Sequence, residues 1–228
     1  GPDGGAPDGT STGAMPATIT MPTTNDGDES PGESSGDGGD TGTTGAPDLC
    51  AEPPFFKQVV LASDAVVGGV MALRPLPELP GMQCAASEFE DDDAQGTVAF
   101  PWSPPCDGVY HLWAHVWDDV EGPAGSNDPD RFAVRIDEGD EVMWHYGCQT
   151  VVDFLDPEPA WHWLRVQDAV LCLEPEPMTY TTTADNHAFV FRNIEAGLWD
   201  EADPPGRIAA ISRILVTNDP TYVPGGAD

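Results

Sequence analysis

The chain has 228 residues, 40 of them acidic and eight basic, for a net charge of −32. Such an excess of carboxylates excludes nucleic-acid binding and adhesion to anionic lipid, because both need cationic patches. No apolar run reaches the roughly 18 residues that a membrane-spanning helix needs, so none is expected.

Residues 1–49 carry nine acidic residues, no basic ones and no aromatics, in a background of Gly, Thr, Ser, Pro and Ala. That composition cannot bury enough apolar surface to offset the entropy of ordering, so a flexible, extended tether is expected. Its Ser and Thr content would suit O-glycosylation. Within it "ATITMPTT" (Ala17 to Thr24) alternates Thr with Ile and Met before Pro22. Either this is chance in a Thr-rich tail, or it is a strand lent to a sheet edge.

From Cys50 onward, short runs rich in Val, Ile, Phe, Tyr and Trp alternate with Pro/Gly/Asp loops. Strands are expected at 57–63, 68–73, 96–100, 108–117, 131–137, 141–146, 161–166, 170–173, 178–183, 187–194 and 207–217. No segment has a sustained helical period. Residues 50–228 are therefore expected to be all-β, one antiparallel β-sandwich. In "VYHLWAHVW", Tyr110, Leu112, Ala114 and Val116 share one face, which belongs against the opposing sheet. His111, Trp113, His115 and Trp117 share the outer face. Four residues along a strand span about 13 Å, so His111 and His115 cannot hold one metal ion. "RFAVRID" turns Phe132, Val134 and Ile136 inward, and "EGDE" after it signals a hairpin. In "AWHWLRV", Trp161, Trp163 and Arg165 lie opposite His162.

Five cysteines lack C-x-x-C spacing, which argues against zinc and for up to two disulfides with one odd thiol. Fifteen arrangements are open; Cys148 with Cys172 and Cys84 with Cys106 are the pairings expected here, leaving Cys50. The loops 88–96, 118–130 and 195–207 are acidic. They are either solvated charge or oxygen ligands for calcium. Trp199 stands alone in the third loop, an exposed indole that must pack on something or bind something. No G-x-S-x-G, H-E-x-x-H or Gly-rich phosphate loop occurs, so the chain is not expected to be an enzyme.

In chain order, "VVLASDAVV", "GVYHLWAHVW", "SNDPDRFAVRID", "AWHWLRV", "NHAFVFRNIEAG" and "LVTNDPTYVP" form a series. It resembles the galactose-binding-like jelly-roll sandwich of carbohydrate-binding module families 6 and 35, over roughly residues 57–224. The resemblance implies that one Trp of the W-x-W pair packs in the core, here Trp163, and that Trp161 is accessible. It also implies a calcium held by Asp64 of "LASDA" and Asp219 of "TNDP". The Arg of the family's W-x-R-V is His115 here, and "GLWDEADPPG" looks like an insertion.

The function expected is a non-catalytic carbohydrate-binding or adhesion module displayed outside the cell on its tether. Trp117, Trp144, Trp161 and Trp199 would stack on sugar rings; Asn127, Asp128, Arg131, His162 and Asn218 would read hydroxyls. A neutral glycan is expected over an anionic one, because the acidic field repels anions. The alternative is a subunit of an extracellular assembly or filament that self-associates through Ala17 to Thr24.

Overall fold

The chain divides into two units, Gly1–Thr43 and Thr44–Asp228. The computed structural model describes residues 50, 55–76, 79–87, 95–118, 130–147, 160–168, 176–195, 198–199, 205–226 and 228, all in the second unit. The strands are β1 (Lys57–Leu61), β2 (Val66–Gly69), β3 (Met71–Pro75), β4 (Gln83–Ser87), β5 (Gly96–Trp102), β6 (Gly108–Asp118), β7 (Arg131–Ile136) and β8 (Val142–His145). They continue as β9 (Ala160–Arg165), β10 (Gln167–Asp168), β11 (Glu176–Pro177), β12 (Tyr180–Thr182), β13 (His187–Asn193), β14 (Leu198–Trp199), β15 (Gly206–Arg207) and β16 (Ala210–Thr217). A 3-10 turn, Ala62–Asp64, follows β1. Among the described residues no helix is long and apolar enough to cross a membrane.

Strand pairing among the described residues is antiparallel throughout. The larger sheet has seven strands, with β16 and β6 at its centre. One edge of β16 takes β4 and then β1; its other edge takes β6, whose far edge is shared by β9 and β12. The smaller sheet runs β2-β5-β13-β7-β8. Between the sheets lies the core that alternation foretold. Leu112, Ala114, Val116, Ile214 and Val216 face Val98, Phe100, Phe132, Val134, Phe189 and Phe191, all of them buried. The all-β sandwich is thus what the structure shows.

Two details depart from the sequence reading. The expected strand 68–73 is two strands in different sheets. Gly69 sits at φ 65°, and a Cβ there would lie 2.3 Å from the Gln95 carbonyl oxygen, so only glycine makes the crossing comfortably. β4, "QCAAS", gave no signal because its small side chains lack the β-branched and aromatic residues that mark strands. The expected strand 170–173 lies outside the described residues.

The cysteine pairing is corrected. Cys106 bonds Cys50, with Cα atoms 6.3 Å apart, and Cys84 is a buried free thiol. Cys84 lies under the Leu76–Met82 turn with Ala86, Ile208 and Ala210, where burial pushes its thiol up to about 12. Cys148 and Cys172 lie outside the described residues. The bridge ties residue 50 to the loop before β6 across a separation of 56 residues. Loop-closure entropy makes it worth about 4 kcal/mol. Reduction should therefore lower the calorimetric melting midpoint by ~10 °C; an unchanged midpoint would mean that the bridge constrains little.

Candidate functional site: the outer face of the larger sheet

The β6 alternation that buries Leu112 and Val116 sends His111, Trp113, His115 and Trp117 to the other side of the sheet. Register then decides their neighbours. β9 pairs with β6 so that Trp161 lies beside Trp117, Trp163 beside His115 and Arg165 beside Trp113. On the other flank, β16 places Arg213 beside His115, Leu215 beside Trp113 and Thr217 beside His111. A bulge between Ile211 and Arg213 adds one residue, Ser212, and turns both Ser212 and Arg213 outward. Four indoles, from two strands distant in the sequence, thus share one face outside the core.

The rings are held against one another. Trp161 stacks on His115 with centroids 5.4 Å apart and planes at 18°. Trp163 tilts against the same imidazole at 5.1 Å, and Trp117 leans on Trp161 at 5.9 Å. At one end, Trp117 and Trp161 rest on the apolar cluster of Leu76, Cys84, Ala86, Ile208 and Ala210. Each of the four indole residues is partly buried rather than enclosed.

The polar groups are set among the rings. His115 Nδ1 lies 2.6 Å from Ser212 Oγ. Burial, helped by the nearby Arg213 and His162, pushes His115 down to about 3, so it is neutral at physiological pH. Arg165 Nη2 donates to His111 Nδ1 at 2.6 Å, which fixes His111 as a neutral acceptor. His111 is likewise held low by burial first and by Arg165 second. The Arg213 guanidinium lies over the Trp163 ring, 5.2 Å from its centroid. Along the rim, Lys57 Nζ meets Asp228 at 2.6 Å and donates to the Tyr222 hydroxyl at 2.9 Å.

The sequence-derived candidates are scattered by comparison. Trp117 and Trp161 belong to this face. Trp163, expected in the core, is on it too: Leu164 and Val166 are the β9-side residues that enter the sandwich. Trp144 is fully buried against Tyr146 and Phe191, so it cannot stack on a sugar. His162 pairs beside Val116, on the side of β9 away from the indoles. Asn218 uses its side-chain oxygen to accept from the Phe56 amide at 2.8 Å. Trp199 pairs in a two-residue ladder with Gly206, and Asn127 and Asp128 lie outside the described residues.

Arg131 stands elsewhere, at the end of the smaller sheet. Its Nε donates to Glu195 at 2.5 Å, and Glu195 also accepts from the Asp130 amide. Beside them His145 Nε2 lies 2.7 Å from the Asp130 carboxylate. Burial raises Asp130, with Glu195 and Asp118 adding and His145 opposing.

The calcium expectation does not fit Asp64 and Asp219. Asp64 follows the Leu61 end of β1 and Asp219 lies beyond the Lys57 end of the β1–β16 pair. At about 3.3 Å per residue the intervening strand alone spans ~13 Å, too far for one ion. Asp219 instead accepts from the Thr221 amide and hydroxyl at 2.8 and 2.7 Å. Among the described residues no group of three or more His, Cys, Asp or Glu could hold a metal ion; most of the acidic loop residues lie outside them.

Arg165, Arg213, Trp113 and His115 were the residues sequence reasoning missed as a site. Alternation placed the β6 stripe outside, but no local signal shows which strands flank it.

No protein-family model matches the chain, and no curated protein matches its sequence. Among solved structures the chain is similar to the Podospora anserina GH26-CBM35 β-(1,4)-mannanase, at 13% identity and a TM-score of 0.44. That match covers 75% of this chain and 29% of the mannanase. It is also similar to a family 35 carbohydrate-binding module from Clostridium thermocellum, at 14% identity and a TM-score of 0.41, over 70% of this chain and 97% of the module. A third is the Arthrobacter globiformis T6 isomalto-dextranase complexed with panose, at 14% identity and a TM-score of 0.42, over 70% of this chain and 23% of the enzyme.

Proposed function

We propose that the protein is a carbohydrate-binding module whose sugar site is the outer face of the larger sheet. The observation that carries this reading is the grouping of Trp113, Trp117, Trp161 and Trp163 on one face, outside the core and partly exposed. Partly exposed indoles backed by a rigid sheet suit the apolar C–H faces of pyranose rings, and a sheet positions them more rigidly than loops would. Ser212, Arg165 and Arg213 stand among them as hydrogen-bonding groups. Display outside the cell fits the Cys50–Cys106 bridge, since disulfides persist in oxidising compartments.

The test is a glycan array probed with the full chain, followed by titration of the glycans it retains. Trp161→Ala and Trp163→Ala should each weaken retention about tenfold, as loss of one stacking ring implies, without moving the melting midpoint by more than a few degrees. Unchanged affinity in both variants would remove this face from the site.

A further inference from the structure

Resting on the reading of a binding module displayed on residues 1–49, we propose that the Cys50–Cys106 bridge carries tension. It passes a pull on the N-terminal segment straight into β6, the strand that bears Trp113 and Trp117, and keeps that pull off β1. By chain continuity, any force on residues 1–49 enters the sandwich at Cys50. Two routes lead from there to the indole face. One runs along the chain into β1 (Lys57–Leu61); the other crosses the disulfide to Cys106, just ahead of β6 (Gly108–Asp118).

The first route is weak by its geometry. Among the described residues β1 pairs with β16 alone, over five rungs from Lys57 beside Thr217 to Leu61 beside Arg213. Val60 is the one β1 residue that is buried. A pull on Lys57 meets these rungs singly, because the end rung bears the load until it opens and the next then takes it. Local opening of such an edge costs a fraction of what unfolding the whole domain costs. At its entry, Thr217 Oγ1 donates to the Phe56 carbonyl at 2.7 Å and the Phe56 amide donates to Asn218 at 2.8 Å. The exposed Lys57–Asp228 pair beside them adds little, since water screens it.

The second route ends on a strand that cannot be peeled from an edge. β6 is flanked by β16 on one side and by β9 and β12 on the other, and Tyr110, Leu112, Ala114 and Val116 are buried in the core. The junction itself is fastened to that strand. The Tyr110 hydroxyl donates to the Cys106 carbonyl at 2.7 Å, and the Phe56 ring packs edge-on against Tyr110 at 5.9 Å. While the bridge holds, β1 lies inside the closed loop from Cys50 to Cys106 and takes no load. Trp113 and Trp117 then hang from the N-terminal segment through one covalent bond and one central strand. Trp161 and Trp163 follow through the ladder between β9 and β6.

The experiment is single-molecule force spectroscopy on the full chain, held at residues 1 and 228. Three forms are pulled: the bridged chain, the same folded chain after reduction with a phosphine, and Cys50→Ser with Cys106→Ser. In both unbridged forms β1 should peel well below the main rupture force, releasing about 40 Å of chain for residues 50–61. The bridged chain should lack that release, whatever releases all three forms share. Val60→Ala should lower the force of the β1 release in the unbridged forms and create none in the bridged one. A β1 release in the bridged chain, or its absence from both unbridged forms, would overturn the proposal. No glycan enters the measurement, so an empty glycan array would strike the saccharide reading without touching this result.

Discussion

Phe191→Ala should destabilise the sandwich by about 3–5 kcal/mol, a large share of what holds such a domain folded. Phe191 is fully buried on β13, the central strand of the smaller sheet, between Val98 on β5 and Val134 on β7. Its ring packs edge-on against Phe100 at 5.7 Å and Phe132 at 5.9 Å, and touches Trp144 at 6.2 Å. These partners come from three strands pinned by backbone ladders, so they cannot collapse into the space left behind. Domains of this kind are stable by roughly 5–15 kcal/mol in total. Chemical denaturation should show a sharply lower midpoint with an unchanged slope. A loss under about 1 kcal/mol would mean that this part of the core is not packed as described.

The second large effect is acid sensitivity centred on His115. Its folded-state value is pushed from 6.5 down to about 3, chiefly by burial. Below pH 6.5 the unfolded chain therefore takes up a proton that the folded chain refuses. Stability is full above pH 6.5 and falls progressively as pH drops toward 3, by roughly 3 kcal/mol at pH 4. The effect reaches the site, because a charged imidazole would lie between the Trp161 and Trp163 rings and face Arg213. His115→Gln should flatten the pH dependence of the unfolding midpoint between pH 6 and 4 relative to the parent chain. A parent and variant with equal slopes in that window would show that His115 titrates normally.

The contrast between Trp163 and Trp144 shows what the sequence could and could not reveal. Alternation in "GVYHLWAHVW" separates the core face of β6 from its outer face because the strand is long and one face is purely aliphatic. The sandwich and most of its strands follow from the same signal. In "AWHWLRV", alternation puts both indoles on one side but does not say which side faces the core. Leu164 and Val166 settle that only once β9 is registered against β6. "EVMWHYG" is harder still: the short β8 takes its facing from a hairpin, and Trp144 goes inward with Tyr146. Cys50 with Cys106, and Arg213 beside His115, join residues far apart in the chain. No local propensity encodes such a pairing. The bulge at Ser212, which turns Arg213 outward, leaves no trace in composition.

The central claim, that saccharide binds on the outer face of the larger sheet, is tested most directly by the indole resonances themselves. The nitrogen-15-labelled full chain would be titrated with the glycans that the array retains while the tryptophan Nε1–H signals are followed. Shifts in Trp113, Trp161 and Trp163, with the core signals of Trp102 and Trp144 unmoved, are the expected result. Shifts confined to Trp199, or to the core indoles of Trp102 and Trp144, would take the site off this face and contradict the assignment.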